Sequence, residues 1–261
     1  MRDDVNRVLV IGKNSFIGSN LTKTLNVKSV SHSDIDLINF RDYEIIINCS
    51  ISPEYKNKTY DVKFDVDYEI SQKIQQKSHY IMISTRRVYG TSTELKIYTE
   101  KSPINPFDYY SENKVVTEEK IKSTLENFTI LRGSNFFGDE YGRQSFMGFC
   151  LTQLKNNDKI ELTISGKVCR DFLHIEDVVK AIKKVCDIRK TGVFNLSSGR
   201  GLSVSKFVEC LIAGKGSGLY SDSELIADQF ILDNTLFCSE FNFELQKNYI
   251  SKIMEIGKKY E

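Results

Sequence analysis

The chain has 261 residues, 40% hydrophobic and 11% aromatic, which is enough for one large domain with a buried core. Its 36 basic and 35 acidic residues nearly cancel without a long block of one charge, which argues against nucleic-acid binding. No apolar run approaches the ~18 residues of a membrane span, and the opening MRDDVNRVLVIG lacks a signal-peptide pattern. These features predict a cytoplasmic protein that binds neither nucleic acid nor membrane.

The cysteines and histidines do not form a metal-binding pattern. The six cysteines are widely spaced without a CxxC pair, and there are only three histidines. In a cytosolic protein, this spacing is typical of reduced, mostly buried thiols rather than of disulfides or zinc ligands. We therefore predict no metal site.

Apolar, β-branched runs alternate with amphipathic segments along the chain. Buried strands are predicted at residues 7–12, 43–49, 80–85, 128–133 and 192–198. Helical patterns lie between them, at FIGSNLTKTL, YEISQKIQQK, YYSENKVVTEEKIKSTL and EDVVKAIKKVCDI. This alternation predicts an α/β fold with a Rossmann-type, doubly wound parallel sheet.

Two parts of the chain interrupt the alternation, and we predict that they form a second unit. Residues 136–164 and 199–261 would make a smaller α/β substrate lobe, interleaved in sequence with the sheet domain. Residues 1–135, with about 165–198 returning, would make the NAD(P)-binding Rossmann domain.

The first predicted strand runs directly into GKNSFIG, residues 12–18, and then into a helix. Gly12 permits a tight turn and Gly18 permits close helix packing, so that backbone N–H groups face a pyrophosphate. Ser15 replaces the usual middle glycine, and a serine at a helix start can also cap it. The loop predicts dinucleotide binding, with a purely structural strand–helix turn as the alternative.

The choice of nicotinamide cofactor depends on the tip of the second strand, predicted at residues 27–32. An acid there would hydrogen-bond the adenine ribose of NAD. The tip carries His32 and Ser33 instead, and Asp34 follows late. Because Lys13 in the loop could meet a phosphate, these residues favour NADP(H) over NAD(H).

The segment NPFDYYSENK places Tyr110 and Lys114 four residues apart, on one face of a predicted helix. Asn105 is predicted to cap this helix, with Pro106 in its first position and Asp108 in its first turn. A tyrosine has an ordinary pKa of about 10, and a nearby ammonium stabilises its phenolate, which makes it a usable acid or base. By itself the pair is equally compatible with an ordinary surface pair on a lysine-rich helix.

Together these motifs resemble the extended short-chain dehydrogenase/reductase family, in its nucleotide-sugar epimerase, dehydratase and reductase branch. The matching segments run along nearly the whole chain: GKNSFIG, INCS, STRRVYG, SPINPFDYYSENK, LRGSNFFG, RDFLHIEDVVKAI and GVFNLSSG. The resemblance implies that Thr85 holds the reacting sugar oxygen, that Tyr110 exchanges its proton, and that Lys114 also binds the nicotinamide ribose. It further implies a homodimer formed through the Tyr110 helix.

The resemblance also implies two binding sets. The nucleotide-sugar substrate would meet Thr85, Arg86, Asn135 and, at its diphosphate, Arg170. His174 is expected to make a hydrogen bond at a helix start instead of binding a ligand. The cofactor would meet Gly12, Lys13, Asn14, Ser15, Phe16, Ile17, Gly18, His32, Ser33, Cys49, Ser50, Ser84, Tyr110 and Lys114.

Arg86 and Arg87 occupy the positions where 4,6-dehydratases of this family carry an acid pair. Arginine cannot act as a general acid or base, so sugar 4,6-dehydration is not expected. The resemblance leaves two reactions: reduction of a nucleoside-diphosphate 4-keto-6-deoxy sugar with an exchangeable cofactor, and 4-epimerisation with tightly bound NAD.

The sequence favours the reductase. Ser15 in the loop and the missing acid on the second strand suggest a loosely held cofactor of the NADPH type. Residues 30–49 form a shorter segment than in relatives of this family, as if one strand–helix unit common in those relatives were missing. A non-catalytic NAD(P)-binding sensor is the remaining interpretation, which the joint presence of Thr85, Tyr110 and Lys114 disfavours.

Overall fold

The computed structural model of the chain describes residues 7–246 and 248–261. Its strands are β1 (Val8–Ile11), β2 (Lys28–Val30), β3 (Ile45–Asn48), β4 (His79–Thr85), β5 (Lys96–Tyr98), β6 (Phe128–Gly133), β7 (Asn135–Phe137), β8 (Lys159–Glu161), β9 (Cys169–His174), β10 (Gly192–Leu196), β11 (Gly201–Ser203), β12 (Leu219–Ser221) and β13 (Phe230–Leu232). Its helices are α1 (Phe16–Leu25), α2 (Pro53–Asn57), α3 (Val66–Ser71), α4 (Tyr109–Thr124), α5 (Phe146–Asn157), α6 (Ile175–Ile188), α7 (Val204–Lys215), α8 (Thr235–Phe241) and α9 (Tyr249–Lys258).

The main sheet has the strand order β10–β6–β4–β3–β1–β2, and every neighbouring pair in it is parallel. All the strands predicted from the sequence lie in this sheet, which confirms the Rossmann-type α/β fold. The chain leaves β1 for β2 on one side and returns to β3 on the other. The crevice beyond the carboxyl ends of β1 and β3 is therefore the switch point where such sheets bind ligands.

Helices cover both faces of the main sheet because side chains along a strand alternate between its faces. Val10 packs in one apolar cluster with Leu21 of α1 and Ile182 of α6. Its neighbour Leu9 packs in another cluster, whose helical members include Ile70 of α3 and Ile121 of α4. These two clusters make the sheet doubly wound.

A second sheet has the order β11–β9–β13–β5, and β7 pairs with β9. Both β5 and β9 fall in segments that the predicted boundaries assign to the Rossmann domain, yet they bond in this second sheet. The alternation of strands and helices along the sequence could not reveal that β5 belongs to the second sheet, because its partner β13 lies far along the chain. The division into two domains stays a prediction, and its first residues, 1–6, lie outside the described residues.

The region around α5, α7 and α9 has an apolar core of its own. Leu151, Phe207 and Ile253 are fully buried in it. Between β2 and β3, by contrast, the chain forms only short 3₁₀ turns, at His32–Leu37 and Phe40–Asp42. Among the helices of the described residues, none combines the length and apolar character needed to span a bilayer.

The helix that carries Tyr110 begins later than predicted, because its cap is Asp108 and not Asn105. The Asp108 carboxylate accepts the Ser111 N–H at 2.8 Å, and the Ser111 hydroxyl accepts the Asp108 N–H at 3.2 Å. This reciprocal capping box satisfies two backbone donors at once. Asn105 instead donates its N–H to the carbonyl of Val88 at 2.9 Å, which holds it against the preceding turn.

A buried ion pair connects α4 to the main sheet. Arg132 of β6 donates three hydrogen bonds of 2.6–3.2 Å to the Glu118 carboxylate, and the two side chains are only 5% and 2% exposed. Ser84 of β4 donates to the same carboxylate at 2.5 Å, and Arg132 donates to the Tyr89 hydroxyl at 3.1 Å. The network holds the carboxyl ends of β4 and β6 against α4.

We predict that Arg132→Met lowers the free energy of unfolding by ~3–5 kcal/mol, because it leaves the Glu118 charge buried without a cation. Lys122→Met is the matched control, since it removes an exposed pair on the same helix, Lys122 with Glu119 at 2.7 Å. That change should cost about 0–1 kcal/mol. Urea unfolding followed by circular dichroism measures both, and equal losses would contradict the structural role of the buried pair.

Candidate functional site

Gly12 and Gly18 shape the loop between β1 and α1. Gly12 has φ +96°, and a Cβ there would lie 2.8 Å from the backbone nitrogen of Ser50. A Cβ on Gly18 would lie 2.8 Å from the Ser15 hydroxyl and would press on the Gly12 carbonyl. Ser15 caps α1, as predicted, by accepting the Gly18 N–H at 2.9 Å. Larger residues at either glycine would therefore deform the loop.

The loop fits the pyrophosphate of a dinucleotide. A helix leaves its first N–H groups without intrahelical acceptors, and those of Phe16 and Ile17 have no acceptor among the described residues. These N–H groups, which carry partial positive charge, lie at the start of α1, where an anion binds well. Cys49 and Ser50 lie beside the loop at the end of β3, and Cys49 donates its N–H to the Ile11 carbonyl at 2.8 Å. These residues sit at the switch point of the main sheet.

The other predicted cofactor residues lie around this loop. Lys13 and Asn14 are exposed within it, and His32 and Ser33 are exposed just beyond β2. The Lys13 N–H donates to the carbonyl of Val30 at 3.1 Å, which ties the loop to the end of β2. The structure thus gathers the predicted dinucleotide residues of β1, β2 and β3 at one edge of the sheet.

Arg143 also reaches the loop, although sequence reasoning did not single it out. Its guanidinium donates to the carbonyl of Asn14 at 3.3 Å and lies over the Phe16 ring, 5.6 Å from its centroid. No local motif surrounds Arg143, so only the packing of the segment before α5 reveals this contact.

A cavity of about 670 Å³ opens beside the carboxyl end of β4. All the residues predicted to act on or bind the substrate line it: Thr85, Arg86, Tyr110, Asn135 and Arg170. They come from β4, the turn after it, α4, β7 and β9. The apolar part of the lining consists of Phe107, Phe136, Phe137, Phe146, Met147, Phe172 and Phe207. Polar groups on one side and aromatic rings on the other suit a ligand with a sugar and a ring-containing part.

Thr85 and Tyr110 differ in how they are held. Thr85 is 8% exposed, and its hydroxyl oxygen accepts the Arg87 N–H at 3.2 Å. The Thr85 hydroxyl proton is therefore left to donate toward the cavity. Tyr110 is half-buried as the second residue of α4, with its side chain at the cavity wall. Both residues line the same cavity.

Two arginines of the cavity are ion-paired. Arg86 pairs with Asp228, each side chain being 12% exposed, and its guanidinium stacks on Phe230 at 4.0 Å from the ring centroid. Arg87 pairs with Asp108 and is more exposed. Sequence reasoning missed Asp228, because it lies far along the chain just before β13 and belongs to no local motif.

Arg170 is a third arginine of the cavity, and the Asp228 charge acts on it as well as on Arg86. Its Nε donates to the backbone carbonyl of Asp228 at 3.1 Å, and it forms no ion pair with a carboxylate of the described residues. Burial lowers the pKa of Arg170 from its ordinary value, but arginine remains charged in proteins. A half-buried guanidinium of this kind is a binding group for a phosphate or a carboxylate.

Lys114 lies behind the cavity rather than in its lining. Its side chain is 4% exposed, and the ammonium donates to the Asp67 carboxylate at 3.0 Å. Burial alone would lower the pKa of Lys114, but the neighbouring negative charges, Asp67 first, raise it above its ordinary value. The lysine therefore remains a fixed positive charge one helical turn from Tyr110.

Two predicted cofactor residues use their hydroxyls within the protein. Ser84 donates to Glu118, and Ser50 donates to the Asn48 side chain at 2.7 Å. The Ser84 hydroxyl proton is therefore not available to a cofactor, although its oxygen can still accept a hydrogen bond. The structure brings Ser50 to the loop, but its hydroxyl serves the turn after β3.

His174 and Asp171 in the RDFLHIEDV segment serve the fold. His174 caps α6, accepting the Glu176 N–H at 3.3 Å, as predicted. Asp171 is fully buried and accepts hydrogen bonds from Ser198 and Gly199 after β10, at 2.8–3.1 Å. Burial raises the pKa of Asp171 to about 6, in spite of these bonds. This segment therefore joins the second sheet to the end of β10.

Comparison with known proteins agrees with this architecture. Over residues 35–197 the chain matches the NAD dependent epimerase/dehydratase family. It is similar to a putative UDP-glucose 4-epimerase of Methanocaldococcus jannaschii, with 27% identity over 73% of this chain and 68% of that protein. It is also similar to human dTDP-D-glucose 4,6-dehydratase, with 30% identity over 51% of this chain and 39% of that protein.

Among solved structures, the fold resembles dTDP-glucose 4,6-dehydratase of Bacillus anthracis in complex with NAD. The TM-score is 0.80 at 20% sequence identity, covering 98% of this chain and 96% of the other. The family match spans well over half of the chain and contains β3, β4, α4 and β6 with Thr85, Tyr110 and Lys114. The chain belongs to the NAD dependent epimerase/dehydratase family.

Proposed function

We propose that this chain is a cytoplasmic NAD(P)H-dependent reductase that acts on the keto group of a nucleoside-diphosphate 4-keto-6-deoxy sugar. One observation carries the proposal: Thr85 and Tyr110 share a cavity with Arg170, whose guanidinium forms no direct ion pair with a carboxylate of the described residues. The hydroxyl pair suits a carbonyl under reduction, and the arginine suits a diphosphate.

The proton transfer follows from how the two hydroxyls are held. Thr85 accepts the Arg87 N–H, so its own proton can donate to the substrate carbonyl and polarise it. When bound, the nicotinamide supplies the hydride. Tyr110 gives its proton to the alkoxide oxygen that forms, which completes the alcohol. The Lys114 ammonium, one turn away on α4, stabilises the phenolate that remains.

The charges of the cavity favour a diphosphate-bearing substrate. The three arginines, Arg86, Arg87 and Arg170, share two nearby carboxylates, Asp228 and Asp108, which leaves one net positive charge on this group. A planar guanidinium binds phosphate oxygens with two parallel hydrogen bonds. We place the diphosphate at Arg170 and the sugar between Asn135 and Thr85. The predicted substrate lobe would then close over the nucleoside.

The same residues argue against elimination of water. A dehydratase needs an acid or base near the reacting carbon, and Arg86 cannot serve as one. The Asp228 carboxylate faces the cavity, but it is held by Arg86 and by the Ser92 N–H at 3.1 Å. Both of these contacts would have to break before Asp228 could approach a substrate carbon.

The cofactor edge supports an exchangeable NADP(H). The described residues place no carboxylate-bearing residue between the end of β2 and Ser33, while Lys13 is exposed nearby. The main sheet ends at β2, a strand of three residues, so that little structure encloses the adenosine half. A reductase needs its cofactor to leave after each turnover.

The alternative is a 4-epimerase with tightly bound NAD. The similarity to the putative UDP-glucose 4-epimerase of M. jannaschii favours it, and Thr85, Tyr110 and Lys114 would serve both reactions. A sensor without catalysis is the least favoured candidate. A homodimer formed through α4 stays a prediction.

Measuring NADPH absorbance separates the first two candidates. Purified protein mixed with NADPH and a nucleoside-diphosphate 4-keto-6-deoxyhexose should oxidise NADPH in proportion to the sugar added. An epimerase should instead leave NADPH unchanged and release nicotinamide cofactor when it is denatured. Released NAD together with no oxidation of NADPH would overturn the reductase.

We predict that Tyr110→Phe lowers kcat by ~100- to 10,000-fold, the usual effect of removing a general acid. Cofactor affinity should change little, because the ring remains. Tyr109→Phe is the matched control, since Tyr109 is the adjacent residue on α4 and is 48% exposed. Near-normal turnover by Tyr110→Phe, or equal losses in the two variants, would exclude Tyr110 as the proton donor.

We also predict that Arg170→Met raises KM for the nucleotide sugar by ~10- to 100-fold, as expected for the loss of a hydrogen bond to a charged group. The value of kcat should change much less, because Arg170 lies at the diphosphate and not at the reacting carbon. Arg170→Lys keeps the charge but loses the planar fork, and should recover only part of the affinity. An unchanged KM in Arg170→Met would place the diphosphate elsewhere.

A further inference from the structure

Asp67 of α3 is a buried carboxylate with three side-chain hydrogen-bond donors. Asn48 of β3 and the Tyr80 hydroxyl of β4 both donate to it at 2.8 Å, and the Lys114 ammonium of α4 donates at 3.0 Å. The Asp67 side chain is 5% exposed. Because its donors come from three other elements, the carboxylate has little freedom to move.

We propose that Asp67 is a positioning residue that holds the Lys114 ammonium charged and directed toward Tyr110 and the nicotinamide ribose. This inference rests on the proposed function of Lys114 and adds a residue to it. An ammonium has three N–H donors. One is used by Asp67, which leaves two for the Tyr110 oxygen and the ribose hydroxyls.

The surroundings of Lys114 explain why it needs such a partner. Burial disfavours the charged form of a lysine and by itself lowers its pKa, while the Asp67 charge is the largest opposing influence. The titratable groups that interact with Lys114 are Cys49 after β3, Tyr55 of α2, Asp65 at the cap of α3, Asp67 of α3 and Tyr110 of α4. Tyr80 of β4 contacts Asp67 instead. Without Asp67, burial should therefore dominate.

Asp65 provides a matched comparison, because it is a second buried carboxylate two residues away. It is 1% exposed and accepts hydrogen bonds from Tyr60 at 2.8 Å, Thr117 at 2.7 Å and the Tyr68 N–H at 3.0 Å. These donors do not include Lys114. Asp65 caps α3 and braces α4, whereas Asp67 is bonded to the ammonium itself.

The test is NADPH binding by Asp67→Asn, measured by cofactor fluorescence without sugar from about pH 6 to about pH 10. The native protein should keep its affinity throughout, because Lys114 stays charged below its raised pKa. In Asp67→Asn the lysine should lose its proton at least ~1 pH unit earlier, so that affinity falls by ~3-fold or more toward the alkaline end. Asp65→Asn should shift the pH dependence much less, because Asp65 is not bonded to the ammonium and its charge has a smaller influence on the Lys114 pKa than that of Asp67.

Every outcome decides the proposal. An unchanged pH profile in Asp67→Asn, or the same shift in Asp65→Asn, would overturn it. If Asp67→Asn fails to fold, Asp67→Asn combined with Lys114→Met is the second variant. Recovery of folding there shows that the unpaired ammonium was the cause, as proposed; no recovery means that Asp67 serves only packing. Because sugar is absent, a wrong substrate assignment leaves the result unaffected.

Discussion

The site depends on one constraint, namely that all six strands of the main sheet run in the same direction. Parallel strands bring their carboxyl ends to a single edge of the sheet. The loop that follows each strand therefore begins at this edge. The loop of residues 12–18, which we call the phosphate loop, follows β1. Cys49 and Ser50 follow β3, and Thr85 ends β4. A single antiparallel pair in this part of the sheet would send one of these groups to the opposite edge, away from the others.

Side chains behind this edge hold α4 in place with buried charges. Glu118 is bonded to Arg132 of β6 and to Ser84 of β4, and Lys114 is bonded to Asp67 of α3. Tyr110, Lys114 and Glu118 are spaced four residues apart on one face of α4, and Tyr110 lies where this face reaches the cavity. A helix fixed by two ion pairs can present a hydroxyl at a constant position, which a proton transfer requires.

The main sheet and the glycines of the phosphate loop could be predicted from sequence, because they depend on local patterns. The runs at β1 and β4 are apolar and β-branched, and Gly12 and Gly18 have the spacing of a strand–loop–helix turn. The helix start was wrong by a few residues, because two good caps, Asn105 and Asp108, lie close together. Only the contact of Asn105 with the turn after β4 decides between them.

Asp67 and Asp228 could not have been identified in this way. Each acts on a partner far along the chain, Asp67 on Lys114 and Asp228 on Arg86, and neither lies in a recognisable motif. A carboxylate in a sequence is usually solvated, and its burial is decided by long-range packing. These two ion pairs can therefore be recognised only in the folded molecule.

The pairing of β5 with β13 has a consequence for how the protein is made. Residues 96–98 leave the ribosome well before their hydrogen-bond partners at residues 230–232. Until then β5 is an unpaired edge, and Arg86 lacks its carboxylate. The phosphate loop and the main sheet can form first, since long-range pairings are the slow step of such folds. The early strands of the main sheet can therefore pair before the second sheet is complete, because Arg86 meets Asp228 only once the chain has reached that residue.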